Sequence, residues 1–306
     1  MQPFEYEGLP SRVIIGAGYL DRVAGDAQRL GGKRVFLIHD PLTEQWAKQI
    51  AGGLRGTADV RVWGQVQQHV PIDLAEPARE AVDVHGSDLV VSIGGGSSTG
   101  LAKAIALSHN LPIVAVPTTY AGSEMTTIYG LTGDRHKQTG KSPQVLPKAV
   151  VYDPLLTLGL PRNVTGPSAF NSLAHCVEAL YAPGHNPVTS AIALEGVRAI
   201  SQSLPRVMRQ PDDVDARGVE PEVVRERRAA RDVGGDEDFP GDVAHGAASG
   251  GAVLDQRLDA KGRTRDAPVG LGIAVGVVLQ AVQTDQLHEL LHRRVSGIES
   301  VNISKP

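Results

Sequence analysis

Cysteine is nearly absent: Cys176 is the only one in 306 residues, so no internal disulfide can form and a reducing, cytoplasmic setting is expected. The opening MQPFEYEGLP has neither the basic nor the apolar region of a secretion signal, which points the same way. The longest apolar run, APVGLGIAVGVVLQAV at 267–282, is glycine-rich. It falls short of the roughly 20 residues that span a bilayer, so no membrane segment is expected. Positive charge is not in excess either. With 30 Lys plus Arg against 34 Asp plus Glu, the formal net charge is −4, which gives no electrostatic reason to bind nucleic acid or an anionic membrane surface. What remains is small-molecule chemistry in a chain whose 41% hydrophobic content can fill a core and whose length favours two domains.

Up to residue 153, short β-branched runs alternate with longer helical patterns, as in a mostly parallel sheet covered by helices. RVII at 12–15 reads as a short strand or hairpin arm, and KRVFLIHD at 33–40 as a strand buried on both faces because its apolar residues are consecutive. Further strands are predicted at 60–63, 88–93 and 112–119, with a helix over 74–85. Another helix is predicted to end near 108, capped by Ser97, Ser98 or Thr99. From residue 154 the pattern becomes helical, with helices predicted over 168–181 and 189–202, so a second domain is expected to start there.

The usual dinucleotide order G-x-G-x-x-G is missing. In its place Gly94, Gly95, Gly96, Ser97 and Ser98 lie between a buried strand and a helix. Glycine lets backbone approach an anion, and a helix start offers unpaired N–H groups, so a pyrophosphate fits this position; a tight turn needing positive φ explains three glycines less easily. Asp40, at the end of the 33–40 strand, is placed to accept hydrogen bonds from an adenosine ribose and to repel a 2′-phosphate, although an Asp before Pro41 is also an ordinary turn starter. The loop PTTYAGSEMTT at 117–127 follows a strand end, where ligands bind in open α/β sheets. Its Thr118, Thr119 and Ser123 are candidates for ribose or nicotinamide contact, the plainer reading being a solvated polar loop. In SAFNSLAHCVEALYAP, Asn171 and His175 stand one helical turn apart and could share a ligand or a cation, but Asn offers only a neutral oxygen.

Taken in series, SIGGGSSTGLAKAIAL, VAVPTTYAGSEMTTIYGLT, KQTGKSPQVLPKAVVYDPLLTLGLP and SAFNSLAHCVEALYAP resemble the maleylacetate reductases of the iron-containing alcohol dehydrogenase superfamily, over residues 1–218. The resemblance implies an α/β dinucleotide-binding domain (1–153) and an all-α C-terminal domain starting at 154–218, the dehydroquinate synthase-like arrangement, with the active site in the cleft between them. It also implies NADH or NADPH as cofactor, a small dicarboxylate substrate and a homodimer. In the matching motifs Gly95, Gly96 and Ser97 hold the pyrophosphate, Thr118 and Thr119 line the nucleotide, and Lys137 reaches toward the nicotinamide ribose. Without the resemblance Lys137 reads as a solvated loop residue, or as part of an Arg-His-Lys cluster that attracts substrate carboxylates. Metal-dependent members carry Asp where this chain has Asn171, together with two further histidines, so the resemblance implies that no metal is used. His175 is then expected to donate a hydrogen bond or a proton to the substrate oxygen; the plainer reading is a hydrogen-bonded helix histidine near the core.

Beyond Gly218 the pattern is lost. Residues 221–240 carry ten charges, and Phe239 is the only aromatic after Tyr181. Neither of the superfamily's later histidine pairs is found. An H-E-x-x-H match at His288–His292 reads as a chance feature of a surface helix, since a zinc protease also needs a third ligand. The abrupt change over 219–306 is what a shift of reading frame near Gly218 would produce, and the helical domain is then expected to be incomplete. Two rivals follow: a metal-dependent alcohol dehydrogenase of the same superfamily, and an inactive nucleotide-binding remnant.

Overall fold

Consecutive apolar residues at 35–38, 89–91 and 113–116 become inner strands of a parallel sheet in the computed structural model, which describes residues 3–67, 70–133, 137–213 and 216–218. In chain order the elements are β1 (Arg12–Ile15), α1 (Arg22–Arg29), β2 (Arg34–His39), α2 (Glu44–Leu54), β3 (Asp59–Trp63), α3 (Ile72–His85), β4 (Leu89–Gly94), α4 (Gly96–His109), β5 (Ile113–Pro117), β6 (Ile128–Thr132), β7 (Lys137–Lys141), β8 (Ala149–Tyr152), α5 (Arg162–Tyr181) and α6 (Pro187–Arg209). Six strands form one sheet in the order β1-β8-β5-β4-β2-β3, every pair parallel, and β6 and β7 form a separate antiparallel hairpin.

Alternate residues of each strand serve opposite faces, which explains why the inner strands are apolar throughout. Phe36, Ile38, Val90 and Ala115 join a core closed by α3, α4, α5 and α6. Val35, Leu37, Val91, Ile93 and Val114 join another closed by α1 and α2. The chain runs outward from β2 to β3, then returns to lay β4 on the other side of β2. Strand order therefore reverses between β2 and β4, and the crevice at their carboxyl ends is where such sheets bind ligands.

Several boundaries differ from the sequence reading. Helix α4 starts at Gly96 with Gly95 as its N-cap and no side-chain cap, so Ser97, Ser98 and Thr99 lie inside the first turn instead of capping it. Helix α5 starts at Arg162, ahead of the predicted 168, and carries Pro167 within it. Helix α6 begins at Pro187 and runs to Arg209; Asn186 caps it by accepting from the N–H groups of Val188 and Thr189, while Thr189 Oγ1 accepts from Asn186 N. No helix among the described residues is long and apolar enough to cross a membrane. Residues 219–306, with the charged stretch and the H-E-x-x-H match, lie outside the described residues.

Candidate active site

The carboxyl ends of β2, β4 and β5 bring most of the candidate residues to one corner. Gly94, the last residue of β4, pairs in register with Pro117 and has φ +143, a backbone region that L side chains rarely adopt. A Cβ on Gly94 would meet the Ser98 hydroxyl and stand 2.5 Å from Asp40 Oδ2, so Asp40 and Ser98 both close on this glycine. The Thr118 amide donates to Gly94 O at 3.0 Å, and a Cβ on Gly95 would stand 3.2 Å from Thr119. The glycines, Asp40, Ser98, Thr118 and Thr119 thus share one corner.

This corner has the chemistry of an anion site. The uncapped start of α4 leaves first-turn N–H groups free of side-chain acceptors, and the positive end of a helix of 14 residues lies behind them. Ser98 is buried and its Oγ has no hydrogen-bond partner, a donor left beside the glycine turn. Gly96 is also informative: a Cβ there would meet only Ala121 Cβ, at an ordinary 3.5 Å. Packing does not demand glycine at that position, whereas close approach of a ligand would.

Asp40 makes the turn-starting bond read from the sequence and also borders the glycine corner. Oδ1 accepts from Leu42 N at 2.9 Å, the turn-starting bond, while Oδ2 faces the glycine corner. Ser123 opens a 3-10 turn over Ser123–Met125, and its carbonyl accepts from the Thr126 amide and hydroxyl at 3.1 and 3.0 Å. Lys137 pairs through its backbone with Thr132 in the hairpin; its side chain lies outside the described residues.

Helix α5 is fastened to the 117–127 loop at Tyr120. Ser168 Oγ accepts from Tyr120 N at 3.0 Å, and Ser172 Oγ donates to Tyr120 O at 2.8 Å. His175 follows Ser172 by three residues and Ser168 by seven, so the helical period sets all three on the stripe that meets this loop. His175 Nδ1 is buried with no hydrogen-bond partner, and Glu178 Oε2 lies 3.6 Å away. Asn171 is on the exposed side of the helix. Among the described residues no three His, Cys, Asp or Glu side chains gather in a way that could hold a metal ion. One imidazole and one exposed amide oxygen do not make a site for a divalent transition metal.

Sequence reasoning missed a buried ionisable group beside this corner. Lys103, inside α4, is completely buried and donates to Thr126 O, Thr126 Oγ1 and Ile128 O at 2.8, 2.8 and 2.7 Å. Burial pushes its ammonium down to about 7, and Glu124 pulls in the other direction. Glu124 is itself buried, which raises its carboxyl, and accepts from Tyr152 Oη at 2.8 Å. Arg217, buried as well, donates to Tyr120 Oη at 3.0 Å and to Pro211 O at 2.7 Å. Tyr120 is therefore held by side chains of α5 and by Arg217. Cys176 is buried, which pushes its thiol up to about 11 and makes it unreactive.

The family model described as iron-containing alcohol dehydrogenase matches residues 10–154. A maleylacetate reductase of Burkholderia cepacia is 46% identical over 217 residues, an alignment covering 71% of this chain and 61% of that protein. The crystal structure of maleylacetate reductase from Rhizobium sp. strain MTP-10005 superposes with a TM-score of 0.74 at 34% identity, covering 98% of this chain and 71% of that one. The maleylacetate reductase structure from Agrobacterium tumefaciens gives a TM-score of 0.73 at the same 34% identity and the same coverage of both chains. The chain spans about three fifths of the length of the curated relatives it matches.

Proposed function

From the premise that the chain belongs to the iron-containing alcohol dehydrogenase family, we propose that it reduces maleylacetate to 3-oxoadipate with NADH or NADPH, a late step in the breakdown of chlorinated or hydroxylated aromatics. The observation that carries this reading is the glycine corner: an uncapped helix start, a buried unpartnered Ser98 hydroxyl and a Gly96 that packing does not require. These fit a diphosphate. The relatives called maleylacetate reductase support the substrate.

A reduced nicotinamide held in this crevice by the residues named below would supply the hydride that adds to the conjugated carbon of the enone. The electron pair displaced from the double bond moves to the carbonyl oxygen, and a proton delivered to the adjacent carbon completes the reduction. In this reading the chain's residues orient and stabilise. Gly95, Gly96 and Ser97 hold the diphosphate, Thr118, Thr119 and Ser123 position the ribose and nicotinamide, and Lys137 reaches the nicotinamide ribose. Asn171 and His175 are assigned to the substrate side, His175 either as hydrogen-bond donor to the oxygen on which negative charge builds or as source of the proton that reaches the adjacent carbon. We further place the enzyme in the cytoplasm, as a homodimer.

The family's description implies iron, but the described residues do not fit it and no step is assigned to a metal. The deciding experiment follows NADH absorbance with maleylacetate, before and after exhaustive chelation, with a simple alcohol and NAD as the control. Consumption of NADH that survives chelation is the expected result. Activity that vanishes with the metal and returns with iron would favour a metal-dependent alcohol dehydrogenase, and tight NADH binding without turnover an inactive remnant.

Asp40 bears on the choice of cofactor. Its carboxylate would repel a 2′-phosphate, so the NADH reading is favoured over NADPH. Asp40→Ser is expected to raise kcat/KM with NADPH relative to NADH by roughly tenfold, from the loss of one like-charge contact. An unchanged ratio would remove Asp40 from the ribose site.

A further inference from the structure

Lys103 has no part in the reading above, yet it is a fully buried cation. Its side chain is completely enclosed, and among the described residues no carboxylate is paired with Nζ. A buried ammonium loses its hydration, and an apolar side chain of similar length often serves a core at least as well. What a methionine could not do is donate three hydrogen bonds. All three go to a short stretch at the far end of the 117–127 loop: Thr126 O and Oγ1 at 2.8 Å each, and Ile128 O at 2.7 Å.

The direction of these bonds matters. Lys103 belongs to α4, whose first turn forms the anion corner, and its acceptors belong to the segment that leads out of the loop carrying Thr118, Thr119 and Ser123. That loop has two other fixed points. Thr118 N is held by Gly94 O where the loop leaves β5, and Tyr120 is held by Ser168 and Ser172. Between Tyr120 and β6 the only charged side chain within the loop is Glu124, which is buried beside Lys103 and tied to Tyr152 Oη. Without Lys103, three acceptors at the loop's exit would lose their common donor, leaving apolar packing such as that of Met125 to join this segment to the helix.

We propose that Lys103 is a positioning residue for dinucleotide binding: by gripping Thr126 and Ile128 it sets the loop that meets the nicotinamide half at a fixed distance from the helix start that meets the diphosphate. The inference rests on the dinucleotide reading of the glycine corner. It makes a demand that general destabilisation does not, because a ligand that ends at the diphosphate should be indifferent to the loop.

The test uses the full chain and two probes, NADH and ADP, titrated by calorimetry against the wild type, Lys103→Met and Thr126→Val. Lys103→Met is expected to weaken NADH by roughly tenfold or more, the scale of one charged hydrogen bond, while ADP changes by less than about twofold. Thr126→Val withdraws one acceptor and leaves the lysine in place, so it should weaken NADH by about threefold with ADP again unmoved; this variant decides the matter if Lys103→Met does not fold. Equal weakening of both probes, or no change in either, would overturn the positioning role while leaving the dinucleotide site intact. A wild type that binds neither probe would overturn the dinucleotide reading itself, and this inference with it.

Discussion

Gly94→Ala is expected to abolish measurable NADH binding and to lower stability by roughly 3 kcal/mol, the combined scale of one strained backbone position and one core overlap. Two observations set the size of the effect. The residue sits at φ +143, so any side chain is strained there whatever the space around it. The new methyl would also press on the Ser98 hydroxyl and come within 2.5 Å of Asp40 Oδ2. Relief requires the start of α4 to swing away from the end of β2, which separates the two halves of the corner. Gly96→Ala is the informative partner, because its methyl meets only Ala121, at 3.5 Å. Inside a helix this change should hold or raise stability by up to about 1 kcal/mol. NADH affinity should nevertheless fall by about tenfold, because the methyl stands where a diphosphate oxygen must approach the helix start. Urea midpoints and calorimetric titration of both variants separate the two effects. A Gly96→Ala protein that binds NADH like the wild type would reduce the three glycines to a tight turn and remove the basis for the assigned function.

The legible and illegible parts of this site differ for physical reasons. Strands β2, β4 and β5 could be read because burial on both faces leaves an unbroken apolar signature, as at Val35–Ile38. The corner could be read because three successive glycines between a strand and a helix are conspicuous, and Gly94 sits at a φ that favours glycine. The cap of α4 was misjudged for the same reason: Gly94, in a conformation open to glycine, turns the chain directly into the helix, so the hydroxyls of Ser97 to Thr99 fall within the first turn. The hairpin β6–β7 left no signal because it mixes Tyr, Gly, Thr, Gln and Lys without clean alternation. Helix α5 begins at Arg162, ahead of the predicted 168, with Pro167, a residue that usually breaks helices, inside it. Lys103 was invisible for a deeper reason. In AKAIAL a lysine reads as a surface residue, and its three acceptors come from Thr126 and Ile128, more than twenty positions away. Local pattern carries no trace of a partnership made by tertiary packing. By contrast, the pairing of His175 with Glu178 follows from a spacing of three on a helix and was available in HCVE.

His175→Gln is expected to lower kcat by about a hundredfold or more, the usual contribution of a positioned proton donor. Glutamine is chosen because it keeps a hydrogen-bond donor at similar reach and loses only the ability to pass a proton on, so the experiment isolates that step. The fold should tolerate it. His175 is a partly buried residue whose Nδ1 has no hydrogen-bond partner, and the serines that bind Tyr120 are untouched. NADH affinity should also stay within about twofold, since the diphosphate corner is built from other elements. Loss of turnover with cofactor binding preserved assigns His175 to the substrate side of the crevice. A larger loss in an alanine variant than in the glutamine variant would then show that the side chain also orients the substrate through a hydrogen bond. Near-normal kcat in His175→Gln would instead move proton delivery to another group and leave the imidazole a merely structural part of α5, held beside Glu178 by the helical period alone.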